Sequence, residues 1–248
     1  MPRMLPKCLL SDIATCVVAL VIVFQSRSLH GGTPPDPLWR NAVEVAATNS
    51  GWVPGLIVIR SEVFHKGEPV ATHEMWQRST LNPQGELVTK TIRVLEDGKD
   101  VTKQSEKETK SKRPEKNDTA MGAWKAGFNP FAREAQERIA LKPTERARLI
   151  AGRDCVGYAF VLKQTNGAVA KGTAWLDKQT GIPAEIEEMQ LDPLPEKHFK
   201  SMSLTTRYET TNGVWRVKAL EMTGTVSVLF IKAGVKSITE FSEHWKKP

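Results

Sequence analysis

The chain has almost nothing with which to crosslink itself. Its 248 residues include three cysteines, Cys8, Cys16 and Cys155, and the first two fall in an N-terminal segment that reads as a removable leader. A single remaining thiol cannot close an internal disulfide, so the fold must stand on its apolar core. Cys155 sits in an apolar, strand-like run beside Tyr158 and Phe160 and reads as a packed thiol. Histidine is also sparse. His30, His65, His73, His198 and His244 show no metal-ligand spacing, and His73-Glu74 lacks the second histidine of a zincin motif. There is no G-x-S-x-G, no phosphate-binding P-loop and no C-x-x-C. The longest apolar run, residues 13–24, is twelve residues, against the roughly 20 that a spanning helix needs. These absences lead to the expectation of no catalytic residues, no metal, no cofactor and no integral membrane segment in the mature chain.

What is present is the composition of a globular protein, 40% hydrophobic and 25% charged. A chain of this size buries about 70–75% of its unfolded surface. Arg3 and Lys7 precede the apolar run, and Ser26 and Ser28 follow it. This is the pattern of a secretory signal peptide over residues 1–28, cleaved near Ser28, and it places the mature protein outside the cytoplasm. Losing Arg3, Lys7 and Arg27 together with Asp12 lowers the formal charge from +7 to +5. Residues 29–35 form a Gly/Pro linker, and 36–248 a single domain. Within it, residues 102–118 carry charges of both signs and almost nothing apolar, which predicts a solvated loop insertion. Mixed signs without interleaved aromatics argue against a nucleic-acid arm, and no nucleic-acid partner is expected.

Asp36 followed by Pro37 supplies an N-cap and a first helical residue, predicting a helix over 37–48 with Leu38, Trp39, Ala42, Val43 and Ala46 on its apolar side. Strand-like runs follow at 55–64, 69–79 and 86–95. Asn129-Pro130 with Phe131, Ala135 and Ile139 at i, i+4 and i+8 predicts a second helix over 130–141, ended by Pro143. The remaining hundred residues read as strands near 154–164, 169–177, 182–191, 199–210, 214–222, 224–232 and 235–242, punctuated by Asn166-Gly167, Thr180-Gly181, Asn212-Gly213 and Ala233-Gly234. About ten antiparallel strands in one sheet must curl as twist accumulates. The expected fold is therefore α+β, a large curved antiparallel sheet forming an unclosed half-barrel, with helices covering its concave face.

The hairpin Gly172-Thr173-Ala174-Trp175-Leu176-Asp177 followed by Lys178-Gln179-Thr180-Gly181-Ile182-Pro183 resembles the W-L-D-x-x-T-G-I-P progression of the periplasmic lipoprotein-carrier superfamily, the LolA/LolB-like proteins. Gly152-Arg153-Asp154-Cys155 leads into it, and Asp97-Gly98-Lys99 and Asn129-Pro130-Phe131 echo other points of the pattern. The likeness covers the order of elements from about residue 36 to 245. It implies a half-barrel lined with apolar side chains and lidded by helices, in a periplasmic protein that holds lipid or lipoprotein acyl chains.

The aromatics are the candidate lining. Trp39, Val43, Trp76, Trp124, Phe131 and Trp175 are the expected apolar ligand-binding residues, and Phe230 and Phe241 could contribute. Glu185, Glu187 and Glu188 cluster, but strand alternation reads them as a solvated face. The expected function is non-catalytic binding of an apolar ligand on the concave face. The alternative is a cell-envelope scaffold or protein-interaction module with a filled core and an envelope protein as partner.

Overall fold

The structure is a computed structural model, and it describes residues 36–105, 129–164, 167–194, 198–228 and 231–247. The expected signal peptide and linker, most of the charged loop, Trp124 and Phe230 lie outside the described residues. Residues 102–105, at the start of that loop, are helical.

Helix α1 (Pro37–Thr48) begins where the sequence placed it. The Asp36 carboxylate accepts the backbone N–H groups of Leu38 and Trp39 at 2.8 and 3.3 Å, satisfying two of the orphan donors of a first turn. Thirteen strands follow among the described residues: β1 (Trp52–Val53), β2 (Leu56–His65), β3 (Glu68–Leu81), β4 (Leu87–Glu96), β5 (Lys99–Asp100), β6 (Ile139–Ile150), β7 (Arg153–Lys163), β8 (Val169–Asp177), β9 (Pro183–Asp192), β10 (Phe199–Thr211), β11 (Val214–Val228), β12 (Ile231–Ser242) and β13 (Trp245–Lys246). A 3-10 segment, Arg133–Arg138, precedes β6.

Eleven strands make one sheet in the order β5-β4-β3-β2-β12-β11-β10-β9-β8-β7-β6, and every neighbouring pair is antiparallel. Two meanders, β2 to β5 and β6 to β12, are joined where β2 pairs with β12. The terminal strands β5 and β6 do not pair with each other, so the sheet curls into an unclosed half-barrel, as expected for this width. Strands β1 and β13 form a separate two-stranded ribbon.

Two local expectations give way. Residues 130–141 are not a helix: Arg133–Arg138 turn as 3-10, and Ile139 already begins β6. The i, i+4, i+8 match rested on three residues, while Ile139 and Leu141 equally satisfy the alternation of a strand. Pro143 does not end the element because β6 is an edge strand, where a missing N–H leaves no neighbour unpaired. The predicted strands 214–222 and 224–232 are largely one long strand, β11, and Ala233-Gly234 lies inside β12 rather than in a turn. Gly224 serves close packing: a Cβ there would stand 2.7 Å from the Ser201 carbonyl oxygen on β10.

The inner face carries the core. Side chains of α1, the 3-10 segment and the inward positions of β2, β3 and β7 to β12 join in one buried apolar cluster. On the outer face an ion-pair series crosses the strands: Arg60 meets Glu74 and Glu240, Lys236 and Arg207 meet Glu221, Arg207 and Arg148 meet Glu185, and Arg146 and Arg148 meet Glu187. The expectation that Glu187 and Glu188 face solvent fits their partial to full exposure. Glu185 differs, for it is buried beneath its two arginines.

Candidate functional site

The concave mouth is closed by α1 and the 3-10 segment, and the turn after β8 fixes where α1 lies. The Asp177 carboxylate accepts the backbone N–H groups of Gln179 and Thr180 and the Thr180 hydroxyl, at 2.9–3.0 Å. Gly181 follows at φ +70°, a backbone region disfavoured for side-chain-bearing residues. It also abuts the helix, since a Cβ there would stand 2.6 Å from the Leu38 carbonyl oxygen. The Asn41 amide donates to the Thr180 carbonyl across the same junction. The T-G-I-P turn is therefore both a hairpin connection and the seat of the helix.

Trp39, wholly buried, projects from α1 into an aromatic cluster. Its ring centroid lies 5.1 Å from Phe131 and 5.8 Å from Tyr158. Phe131 meets Tyr208 and Trp215 edge-on at 6.3 and 6.4 Å, and those two rings stack at 4.5 Å. Both indole N–H groups are paired within the protein. The Trp39 indole N–H donates to Gln136 Oε1 at 2.9 Å, and the Trp215 N–H to the Pro183 carbonyl at 2.9 Å. Burial, with a hydrogen bond to the Asp36 carboxylate, pushes the Tyr158 hydroxyl up to about 12, and burial raises Tyr208 further. Arg133 donates to Glu44 at 2.6 Å, so the 3-10 segment is tied to α1 at an exposed pair as well as through Trp39 and Gln136.

The six expected lining residues divide by location. Trp39, Val43 and Phe131 come together on the concave side. Trp76 is on the outer face of β3, because Ala71, His73, Gln77 and Ser79 are the buried inward positions; Arg93 lies over its ring at 5.2 Å. Trp175 is also outward, between inward Ala174 and Leu176. It packs with Cys155, Ala184 and Ile150 under the guanidinium groups of Arg146 and Arg148, and its N–H donates to Glu187 at 2.9 Å. Trp124 lies outside the described residues. Cys155 is the packed thiol expected, with burial pushing its pKa up.

Sequence reasoning passed over Tyr158, Tyr208 and Trp215. Tyr158 was legible, since it alternates with Phe160 and Leu162, both inward. Tyr208 was legible too, alternating with Met202 and Leu204, but Trp215 was not, because an extra residue on β11 between Val217 and Ala219 reverses its parity relative to Met222. It also passed over a polar strip on the same concave face. Ser61, His73, Gln77, Ser79, Ser237 and Thr239 are all buried. Ser61 and Ser237 hydrogen-bond to each other at 2.8 Å, whereas both ring nitrogens of His73 and Oε1 of Gln77 have no partner among the described residues. Burial lowers the pKa of His73, keeping its imidazole neutral. Among the described residues, no group of three or more His, Cys, Asp or Glu side chains could hold a metal ion, and no helix is long and apolar enough to cross a membrane.

No family model and no curated protein matches the chain. Solved structures do. An outer membrane lipoprotein-sorting protein domain from Vibrio parahaemolyticus is 14% identical over 84% of this chain and 93% of its own, with a TM-score of 0.38. A LolA superfamily protein from Nitrosomonas europaea is 10% identical over 85% and 92%, with a TM-score of 0.34. The MucA/MucB complex structure from Pseudomonas aeruginosa gives 10% identity over 85% and 98%, with a TM-score of 0.21. Of these, the Nitrosomonas europaea protein carries the LolA superfamily name. At these identities and scores the similarities decide nothing about ligands, and the half-barrel rests on the strand order and register.

Proposed function

We propose that this is an exported, periplasmic, non-catalytic protein that holds an apolar ligand, a lipid or lipoprotein acyl chain, against the concave face of its half-barrel. The observation that carries the proposal is the construction of the mouth. An open sheet presents an apolar inner face, and what covers it among the described residues is one short helix and a 3-10 segment, held by side-chain contacts. Curved sheets with such covers are natural sites for apolar ligands. In this proposal Trp39, Val43 and Phe131 are the moving part of the lining, and Tyr158, Tyr208 and Trp215 the fixed floor. The described structure is the closed state, with the rings of the lid occupying the space that acyl chains take when α1 swings out on the Gly181 turn. The signal-like segment and the resemblance to periplasmic carriers support the compartment.

Native mass spectrometry and organic extraction of protein purified from its own envelope test this. Acyl-chain species at near one per chain are expected. Repeated recovery without lipid, together with no binding of an added fluorescent acyl probe, overturns it.

The second proposal, a protein-interaction module with a filled core, is favoured by one observation: Trp39 and Phe131 are completely buried in the cluster they close. An envelope protein partner retained by a Trp39→Ala variant, but lost on charge reversal within 102–118, would support that reading.

A further inference from the structure

The polar strip on the concave face is unexpected in a purely apolar cradle. His73 is 5% exposed and Gln77 is 5% exposed, yet three of their polar atoms have no partner among the described residues. Buried polar atoms are paired in the great majority of cases, and an unpaired one calls for an explanation. The neighbours do not supply partners. Ser61, opposite His73 on β2, is engaged with Ser237 on β12. Gln77 directs its amide nitrogen toward the Thr91 hydroxyl at 3.5 Å, which leaves Oε1 free. Met75 and Ile59, between these two positions, are apolar and belong to the core or pack on it. Polar positions thus interrupt an apolar floor at two places, four residues apart on β3, or about 13 Å along the strand.

We propose that the concave face binds an amphiphile rather than a plain hydrocarbon, with His73 as the partner of a neutral hydroxyl-bearing headgroup and Gln77 a second polar contact along the ligand. This rests on the apolar-ligand proposal and names the ligand class. A neutral imidazole offers one N–H donor and one acceptor nitrogen on divergent edges, and two hydroxyls, each able to donate or accept, complement them. Glu96, the residue opposite His73 on β4, is exposed and on the same face. Its negative charge works against an anionic headgroup there, as does the burial that keeps His73 uncharged. Gln77 Oε1, an acceptor, calls for a second donor farther along the ligand.

The test uses the whole mature chain and two ligands of equal chain length, monolauroylglycerol and methyl laurate, each displacing bound anilinonaphthalene sulfonate. Replacing His73 by leucine removes both nitrogens and keeps an apolar side chain. Monolauroylglycerol binding should weaken about tenfold, the usual size of a lost buried hydrogen-bond pair, and methyl laurate binding should change by less than about twofold. A His73→Asn variant, which restores one donor and one acceptor, should recover part of the loss. Equal effects on both ligands, or none on either, overturn the headgroup role and leave the apolar-ligand proposal standing. Failure of both ligands to bind the unaltered protein overturns the two together. Nitrogen NMR of the His73 ring in the unaltered protein gives an independent readout: monolauroylglycerol should shift it and methyl laurate should not. The absence of that difference also overturns the inference.

Discussion

At the scale of single residues, the face on which each stands sends two tryptophans to opposite roles, Trp39 on the inner side of a helix and Trp76 on the outer side of a strand. Trp39 is wholly buried among Phe131 and Tyr158, and its replacement by alanine should cost about 3–5 kcal/mol in denaturant unfolding. Trp76 lies partly exposed under Arg93, and its replacement should cost about 1 kcal/mol or less. The histidines set a pH response. Burial lowers the pKa of His73, and burial, followed by the charge of Arg216, lowers that of His244 below the ordinary 6.5. A histidine held neutral in the fold takes up its proton more readily when unfolded. Stability is therefore full above about pH 6.5 and falls as the pH drops below it. Glu96 faces His73, and Glu209 lies by His244, which moderates its shift. A His73→Leu variant should show a shallower decline between pH 7 and pH 5 in urea titrations, and an apo midpoint at least as high as the unaltered protein, because two unpaired buried nitrogens are gone. A steeper decline would mean that His73 is charged in the fold.

At the scale of elements, legibility followed the number of independent local signals. Helix α1 had an N-cap, a proline at its first position and an apolar stripe, all agreeing, and residues 37–48 emerged intact. Residues 130–141 had only a cap-like Asn129 and three spaced apolar residues, and the element there proved to be a 3-10 turn running into an edge strand. Asn129 still does what a cap does, its side chain accepting the Phe131 N–H at 3.0 Å. The meander was legible because turn residues mark its corners, and it misled only where Gly224 and Gly234 sit inside strands. Of the expected lining, helix-borne Trp39 and Val43 lie on the concave side, whereas strand-borne Trp76 and Trp175 lie on the outer face. Trp175 is flanked by Ala174 and Leu176, so apolar side chains stand on both faces of β8 and alternation cannot tell inside from outside. Gly181 offers the test at this scale. Alanine there meets both a positive φ and the Leu38 backbone, so the variant should lose more than the ~1 kcal/mol of a conformational penalty alone. Its distinguishing sign would be faster hydrogen exchange across α1, with the β7–β8 hairpin little changed.

At the scale of the whole molecule, a half-barrel keeps one face for its core and must keep the other wet and singular. The outer ion pairs do this across seven strands, β3, β2, β12, β11, β10, β9 and β6, and a one-residue register slip would turn these charges toward the apolar face. The Arg60 pairs are well exposed, Arg60 and Glu240 at 49% and 53%, and add little to stability. Glu185 is the most buried carboxylate of the series, its side chain only 8% exposed beneath Arg148 and Arg207. Removing Arg148 leaves that carboxylate buried with one guanidinium nitrogen at 3.4 Å, and also uncovers Trp175. An Arg148→Met variant should lose about 1–2 kcal/mol, less than the ~3–5 of a fully buried pair because Arg207 stays and Arg148 is itself part-exposed. Methionine retains contact with the indole, so most of that loss belongs to the charge. Adding Glu185→Gln should then recover at least half of it, whereas Glu185→Gln alone should destabilise. Raising the salt concentration should barely alter this coupling while weakening the exposed Arg78–Glu243 pair, whose side chains are about half in solvent. Simple additivity in the double variant would show that the buried carboxylate is held by the sheet alone, and that the outer face does not help fix the curvature on which the concave site depends.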